Sequence, residues 1–204
     1  MSEKIIYLAS RSPRRRELLR QIDVDFEMVL LREAQQRGID VDETPRPDES
    51  PDEYVLRVTR DKAQAAADSV RKRRLAMRPV LAADTTVVCD DVILGKPVDA
   101  ADAARMLGLL AGRSHRVLTA VAVAGDGEVA TRMSESQVWF RALDDGEIRR
   151  YVATGEPVDK AGAYAVQGRA AAFITRIEGS YSGIMGLPLA ETAELLRSHG
   201  IIVP

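Results

Sequence analysis

A chain with a single cysteine, Cys89, can form no internal disulfide and no multi-cysteine zinc site. Its two histidines leave little room for histidine-based catalysis. His199 falls at the end of an expected helix, where it suits a cap. His115 falls at a strand entrance with no evident carboxylate partner and reads as structural. Three phenylalanines and one tryptophan build no stacking platform for single-stranded nucleic acid. The net charge of −2 removes any argument from general basicity, so no nucleic-acid partner is expected. No apolar run approaches the roughly 20 residues of a membrane span, and Met-Ser-Glu-Lys opens no secretory signal. A cytoplasmic protein without a membrane partner is expected. The G-x-S-x-G elbow, the H-E-x-x-H pair and the Walker lysine loop are all missing. Cys89 follows Val87-Val88 in an expected strand and reads as a small hydrophobe rather than a nucleophile.

What is present starts with the apolar segment Ile5–Ala9, which runs into Ser10-Arg11-Ser12-Pro13-Arg14-Arg15-Arg16. Pro13 suits the first position of a helix and Ser12 its N-cap. The helix then spans Arg14–Gln21, with Leu18, Leu19 and Ile22 as its apolar stripe. Three arginines crowd the end of the helix where the dipole is already positive, each disfavoured by up to about 1 kcal/mol. A bound anion reverses that sign, since free N–H groups and guanidinium groups then converge on it. The turn reads either as a phosphate site or as a solvated basic helix end.

The 204 residues suit one large domain or two small lobes sharing a core, and a single unit over 1–204 is expected. The stretch 32–49 is polar and proline-rich and reads as a mobile loop or flap. Ser50-Pro51-Asp52-Glu53 is a capping box ahead of a helix that reaches about Arg73, with Val55, Val58, Lys62 and Ala66 along one side. Residues 79–83 form a short apolar run that continues through Thr85–Val88, turns at Asp90-Asp91 and returns through Ile93-Leu94. A helix capped by Asp99 stops at Gly112. Strands over 116–124 and 128–140 are joined at Asp126-Gly127, a hairpin signal. A helix over 145–154, a loop over 156–168, a strand over 170–177 and a last helix over 188–199 complete a mixed α/β fold.

Asp84 closes the apolar run Val80–Ala83, so it is expected where a buried strand meets the surface. An aspartate there either positions a water or a Mg²⁺ ion beside phosphates, or caps a turn. Lys62 interrupts an apolar helix stripe, which either snorkelling or a buried anion explains. Lys96 sits in the rigid turn Gly95-Lys96-Pro97. Asp159-Lys160-Ala161-Gly162-Ala163-Tyr164 with Gln167-Gly168 is a loop of small residues carrying polar side chains. There glutamine can pair with a base edge, and glycine lets the backbone approach a ligand.

These segments together resemble the Maf family of nucleoside triphosphate pyrophosphatases. The resemblance is carried by residues 8–15, 49–63 and Ala83-Asp84-Thr85, then by Gly95-Lys96-Pro97, residues 159–164, Gln167-Gly168 and residues 186–189, in order along the whole chain. It implies hydrolysis of a nucleoside triphosphate to monophosphate and pyrophosphate with a divalent cation, Mg²⁺ or Mn²⁺. It also implies an elongated mixed sheet flanked by helices, with a cleft between two lobes, similar to inosine triphosphate pyrophosphatases. By motif, Asp84 takes the proton-acceptor position, Ser10, Arg14 and Arg15 the phosphate turn, and Lys62 and Lys96 the charge-neutralising lysines. Asp84 and Glu43 are the expected metal ligands, and a homodimer the expected assembly. Arg14, Thr85 and Gln167 match the base-selecting positions of the branch that acts on dTTP and UTP, with modified pyrimidine nucleotides as further substrates. Residues 32–39 look like an insertion, and Val41–Pro45 with Asp48–Pro51 resembles the branch acting on 7-methyl-GTP. That activity, and a nucleotide-binding regulator of septum formation, are the alternatives.

Overall fold

The computed structural model describes residues 5–31, 40–125, 127 and 129–204. Strand β1 (Ile6–Leu8) leads through the Ser10–Ser12 turn into helix α1 (Pro13–Gln21). Ser12 is the N-cap, its hydroxyl accepting from the Arg15 N–H at 3.5 Å. Pro13 occupies a first-turn position whose N–H would have no helical partner. β2 (Phe26–Met28), a strand too short to show a period, pairs parallel with β1. Helix α2 (Pro51–Lys72) opens on the expected capping box, in which Ser50 and Glu53 each accept from the other's backbone N–H; such a cap stabilises a helix by about 1 kcal/mol.

Strand β3 (Val80–Cys89) corrects one expectation. Asp84 ends no strand: residues 80–88 pair without a break against the antiparallel β5 (Ser114–Ala124), so Asp84 lies in the middle of β3. The sequence turns polar there because the site, and not the strand, begins. Asp90 and Asp91, both at positive φ, make the tight turn to β4 (Val92–Leu94). Asp99 caps α3 (Ala100–Leu110), and β6 (Ala130–Phe140) returns antiparallel to β5. Of the expected hairpin turn, Asp126 lies outside the described residues, as does the apparent insertion at 32–39.

After α4 (Asp145–Val152) comes a second correction. Residues 170–173 belong to a 3₁₀ turn over Arg169–Phe173, and only β7 (Ile174–Glu178) pairs with β6. The Glu156 carboxylate accepts the N–H groups of Arg169 (3.0 Å) and Ala170 (3.4 Å), which curls the backbone away from the sheet. Helices α5 (Tyr181–Ile184) and α6 (Leu189–Ser198) follow, and the His199 ring caps α6, with Nδ1 2.8 Å from the Leu195 carbonyl.

Among the described residues the strands form one mixed sheet in the order β2-β1-β3-β5-β6-β7, with β4 paired to β3. It is flanked by helices on both faces, as expected. On one face Leu81, Ala83, Val121 and Val123 pack with α1 and α6; on the other Val80, Ala82 and Ala122 pack with Ala63, Ala66 and Val70 of α2. A further core gathers Val87 and Val117 with α3, α4 and Tyr164. β1 pairs with β3 only at Val80 and Leu81, and β4 only at Val87 to Cys89. Residues 83–86 therefore have no strand partner on that edge, which leaves a cleft between two lobes. Asp84 and Thr85 stand in it. Among the described residues no helix is long and apolar enough to cross a membrane.

Candidate active site

Successive strand residues point to opposite faces, so Asp84 and Thr85 organise different sides of the cleft. On the Thr85 side stands Arg15. Its guanidinium donates from Nε to the Gly186 carbonyl (2.6 Å), from Nη1 to Ser10 Oγ (3.3 Å) and from Nη2 to Thr85 Oγ1 (3.2 Å). Ser10 Oγ also accepts the Ser12 N–H at 3.2 Å, closing the turn on itself. Arg14 donates from Nε to the Met185 carbonyl at 3.3 Å. Burial lowers the pKa of both arginines, Arg15 being held up in turn by the Asp84 charge and Arg14 by Glu17. Both remain cations. The turn is therefore no solvated helix end: Arg15 is drawn inward onto Ser10, Thr85 and Gly186, and Arg14 onto Met185.

On the Asp84 side, the oddity of Lys62 resolves. Its ammonium is 2.7 Å from Asp84 Oδ1 and 3.1 Å from Glu43 Oε2, so it sits between the two carboxylates read as metal ligands. Lys62 and Asp84 side chains are each 15% exposed, Glu43 51%. Glu43 is presented by a segment that is pinned rather than loose. Arg57 donates to the carbonyls of Asp42 (3.1 Å) and Thr44 (3.0 Å) and forks onto Glu49, while the Tyr54 hydroxyl donates to the Glu43 carbonyl at 3.0 Å. The fork holds the Glu49 carboxyl down at about 2. Burial, with Asp84 and Glu43 nearby, pushes the Tyr54 phenol up to about 12. The described part of the expected flap, 40–49, is thus fastened to α2.

Lys96 and Gln167 are not brought into contact with these groups. Both are exposed and bond to no other side chain among the described residues. Their loops nonetheless lie on the Thr85 face. The Gly162 N–H donates to the Gly95 carbonyl at 3.1 Å, and Gly162, at φ +67°, packs so closely on Val87 that a Cβ would meet it at 2.9 Å. The same loop carries a cation that the sequence reading named but gave no role, Lys160. Its pKa is lowered by burial first and then by the Arg14 charge. Its proximity to Arg14 depends on packing across the cleft, so the sequence signals it only through the polar loop. The shallow hollow between Arg150, Tyr151 and Arg169 holds none of these groups.

His115 anchors that loop from below. It is 2% exposed, its Nε2 lies 2.8 Å from the Tyr164 hydroxyl, and its Nδ1 has no partner among the described residues. Burial pushes its pKa down to about 4. Because the unfolded imidazole takes its proton near 6.5, stability is fully present above that pH and is lost as pH falls toward 4. By then about 3 kcal/mol is gone. We expect a melting temperature that declines between pH 6.5 and 5, above the range where Glu49 and Glu147 titrate. His115→Phe should flatten that slope; an unchanged slope would assign it to another group.

A protein-family model described as Maf-like protein matches residues 5–199. The chain belongs to this family. Among its relatives, the dTTP/UTP pyrophosphatase of Aromatoleum aromaticum is 59% identical over 196 residues, covering 96% of this chain and 95% of the relative. Proteins of the same name from Nitrosomonas europaea and Dechloromonas aromatica are each 54% identical, over 97% and 96% of this chain and 96% and 97% of theirs. Among solved structures, the Ham1 protein of Staphylococcus aureus shares the fold at a TM-score of 0.50 and 16% identity, covering 96% of this chain and 97% of that one. The Maf-like match takes in every element that builds the site, from the Ser10–Arg15 turn to the carbonyls of Met185 and Gly186.

Proposed function

We propose that the chain is a nucleoside triphosphate pyrophosphatase hydrolysing dTTP and UTP to the monophosphate and pyrophosphate. The observation that carries this reading is the junction at Asp84-Thr85, where a carboxylate held by Lys62 stands back to back with an arginine-lined turn. Relatives above 50% identity bearing that name support the substrate pair.

In this mechanism the triphosphate lies along the cleft, its charge met by Arg14 and Lys160 with Arg15 behind them. Asp84 Oδ1 is engaged by Lys62, while Oδ2 accepts no hydrogen bond from the described residues. That oxygen orients the attacking water and takes its proton. The water oxygen bonds to the α-phosphorus as the bond to the α–β bridging oxygen breaks, and pyrophosphate leaves. Lys62 and Lys96 offset charge on the transferring and leaving groups. Arg14, Thr85 and Gln167 select the base, the glutamine amide donating to O4 and accepting from N3–H of uracil or thymine.

A divalent cation belongs to this reading. Among the described residues no three His, Cys, Asp or Glu side chains converge on one point. Lys62 Nζ stands between Asp84 and Glu43, so these two carboxylates would hold the ion beside that ammonium, and with phosphate oxygens and water they make an all-oxygen donor set that suits Mg²⁺ or Mn²⁺. Such an ion would neutralise phosphate charge and make the phosphorus accessible to the nucleophile. Action in the cytoplasm as a homodimer is part of the same reading.

The test is pyrophosphate release from dTTP, UTP, CTP, dATP, GTP, ITP and 7-methyl-GTP with Mg²⁺ or Mn²⁺. We expect dTTP and UTP to exceed every purine by at least about tenfold in kcat/KM. Preference for 7-methyl-GTP would overturn the base assignment and keep the chemistry. Binding without turnover would replace the enzyme with a nucleotide-binding regulator.

A further inference from the structure

The polar row that crosses the sheet beside Thr85 is only half used by the mechanism above. Thr119 lies directly opposite Thr85 in the β3–β5 register, and Ser134 of β6 lies opposite Thr119. On either side of this row the same face is apolar: Ala83 and Val121 precede it, Val87 and Val117 follow. Thr119 is 1% exposed. A valine has nearly its shape and would spare the burial of a hydroxyl, so packing alone does not call for threonine.

Hydrogen-bond accounting gives the hydroxyl a purpose. Thr119 Oγ1 is 2.8 Å from the Gly183 carbonyl and 3.1 Å from Thr85 Oγ1. A hydroxyl has one hydrogen, and a carbonyl can only accept. The Thr119 hydrogen is therefore committed to Gly183, and the hydrogen between the two threonines comes from Thr85. Thr85 Oγ1 in turn accepts from Arg15 Nη2. One directed chain results: Arg15 to Thr85 to Thr119 to the Gly183 carbonyl. The same short segment offers its next carbonyls to the arginines, Met185 to Arg14 and Gly186 to Arg15. The 183–186 turn thus receives three donors from two elements, two from α1 and one from β5, and Thr119 is the one that ties it to the sheet. Gly186 sits at φ +111°, a backbone conformation that side chains rarely adopt, with Arg15 Nε and Thr85 Oγ1 in ordinary contact distance of where a Cβ would stand.

The geometry points to Thr119 as a positioning residue for nucleotide recognition: it fixes the direction of the Thr85 hydroxyl and the seat of the 183–186 turn, and through them the two arginines. The inference rests on the proposed role of Thr85 and Arg14 in the nucleotide site. Thr119 touches no substrate, and the water-activating Asp84 faces the other side of the sheet. Its loss is therefore read in KM and base preference more than in kcat.

The experiment measures kcat and KM for dTTP, UTP and GTP, with melting temperatures, in Thr119→Val, Thr119→Ser, Thr85→Val and the double valine variant. We expect Thr119→Val to raise KM for dTTP and UTP about tenfold, as loss of a buried hydrogen-bond partner implies. Its kcat should stay within about threefold, and its melting temperature should fall by a few degrees, because the Gly183 carbonyl and the Thr85 hydroxyl lose their buried partner. Thr119→Ser, which keeps the hydroxyl, should restore KM to within about twofold of the parent. Because part of the Thr119 effect runs through Thr85, adding Thr119→Val to Thr85→Val should raise KM by clearly less than Thr119→Val does alone. Parent-like KM in Thr119→Val, or equal damage from serine and valine, overturns the inference while leaving the site intact. Parent-like kinetics in Thr85→Val overturns the reading on which it rests. If the valine variant does not accumulate, Thr119→Ala set against Thr119→Ser gives the same comparison.

Discussion

Asp84→Asn should lower kcat for dTTP by at least about 100-fold while leaving nucleotide affinity within a few-fold of the parent. Asparagine keeps the shape of the side chain and still accepts from Lys62, but it takes no proton from water. The ammonium is not orphaned, because Glu43 Oε2 stays 3.1 Å away. Lost turnover would therefore reflect lost chemistry rather than a collapsed site. In the proposed mechanism affinity is set chiefly on the opposite face of β3, by Arg14, Arg15 and the 159–168 loop, and the hydrogen bonds of the two arginines do not involve Asp84. Steady-state pyrophosphate release and equilibrium binding of dTTP, measured on both proteins, separate the two effects. Turnover within tenfold of the parent would remove Asp84 from its role; loss of binding in step with turnover would make it a structural member of the site.

The contrast between the faces also explains what could be read from the sequence. The Ser10–Arg15 turn was legible because cap, proline and arginines are neighbours in the chain. Lys62 was legible as an anomaly, since an ammonium on an apolar helix stripe calls for an anion. That the anion is Asp84 depends on how α2 lies across β3, which no local pattern encodes. β2 and α5 escaped because a few residues carry no period. The strand expected from residue 170 failed because Glu156, distant in sequence, captures the N–H groups that a strand would use. Thr119 was invisible for the same reason as Lys160. Its meaning comes from a partner on another strand, and only the register supplies it.

The polar level at Asp84-Thr85 divides the apolar interior on both faces. On the α2 side, Lys62 separates the cluster of Val55 and Val58 from that of Ala63 and Ala66; on the other, Thr85 and Thr119 separate Ala83 and Val121 from Val87 and Val117. Interrupting a core in this way costs stability, offset only while each polar group keeps its partners.

Arg15 is where this demand is greatest, and replacing it should have the largest effect on the fold. Three of its five N–H donors are committed to Gly186, Ser10 and Thr85. Arg15→Ala strands those acceptors beneath the 183–186 turn and removes a cation that the Asp84 charge helps to hold. Hydrogen bonds from a charged donor contribute about 1.5–3 kcal/mol each before the cost of burying the charge is subtracted. A net loss of about 3–5 kcal/mol is expected, which in a chain of this size lowers the melting temperature by about 10 °C. Arg15→Lys should recover little of it, since one ammonium cannot reproduce a planar fork onto three acceptors. Arg14→Ala offers the internal comparison: with a single 3.3 Å bond to Met185, it should melt within about 2 °C of the parent yet raise KM for dTTP at least tenfold. If the two alanine variants melt alike, the neighbouring arginines share one role. If only Arg15→Ala loses stability, one arginine grips the nucleotide and the other holds the grip in place.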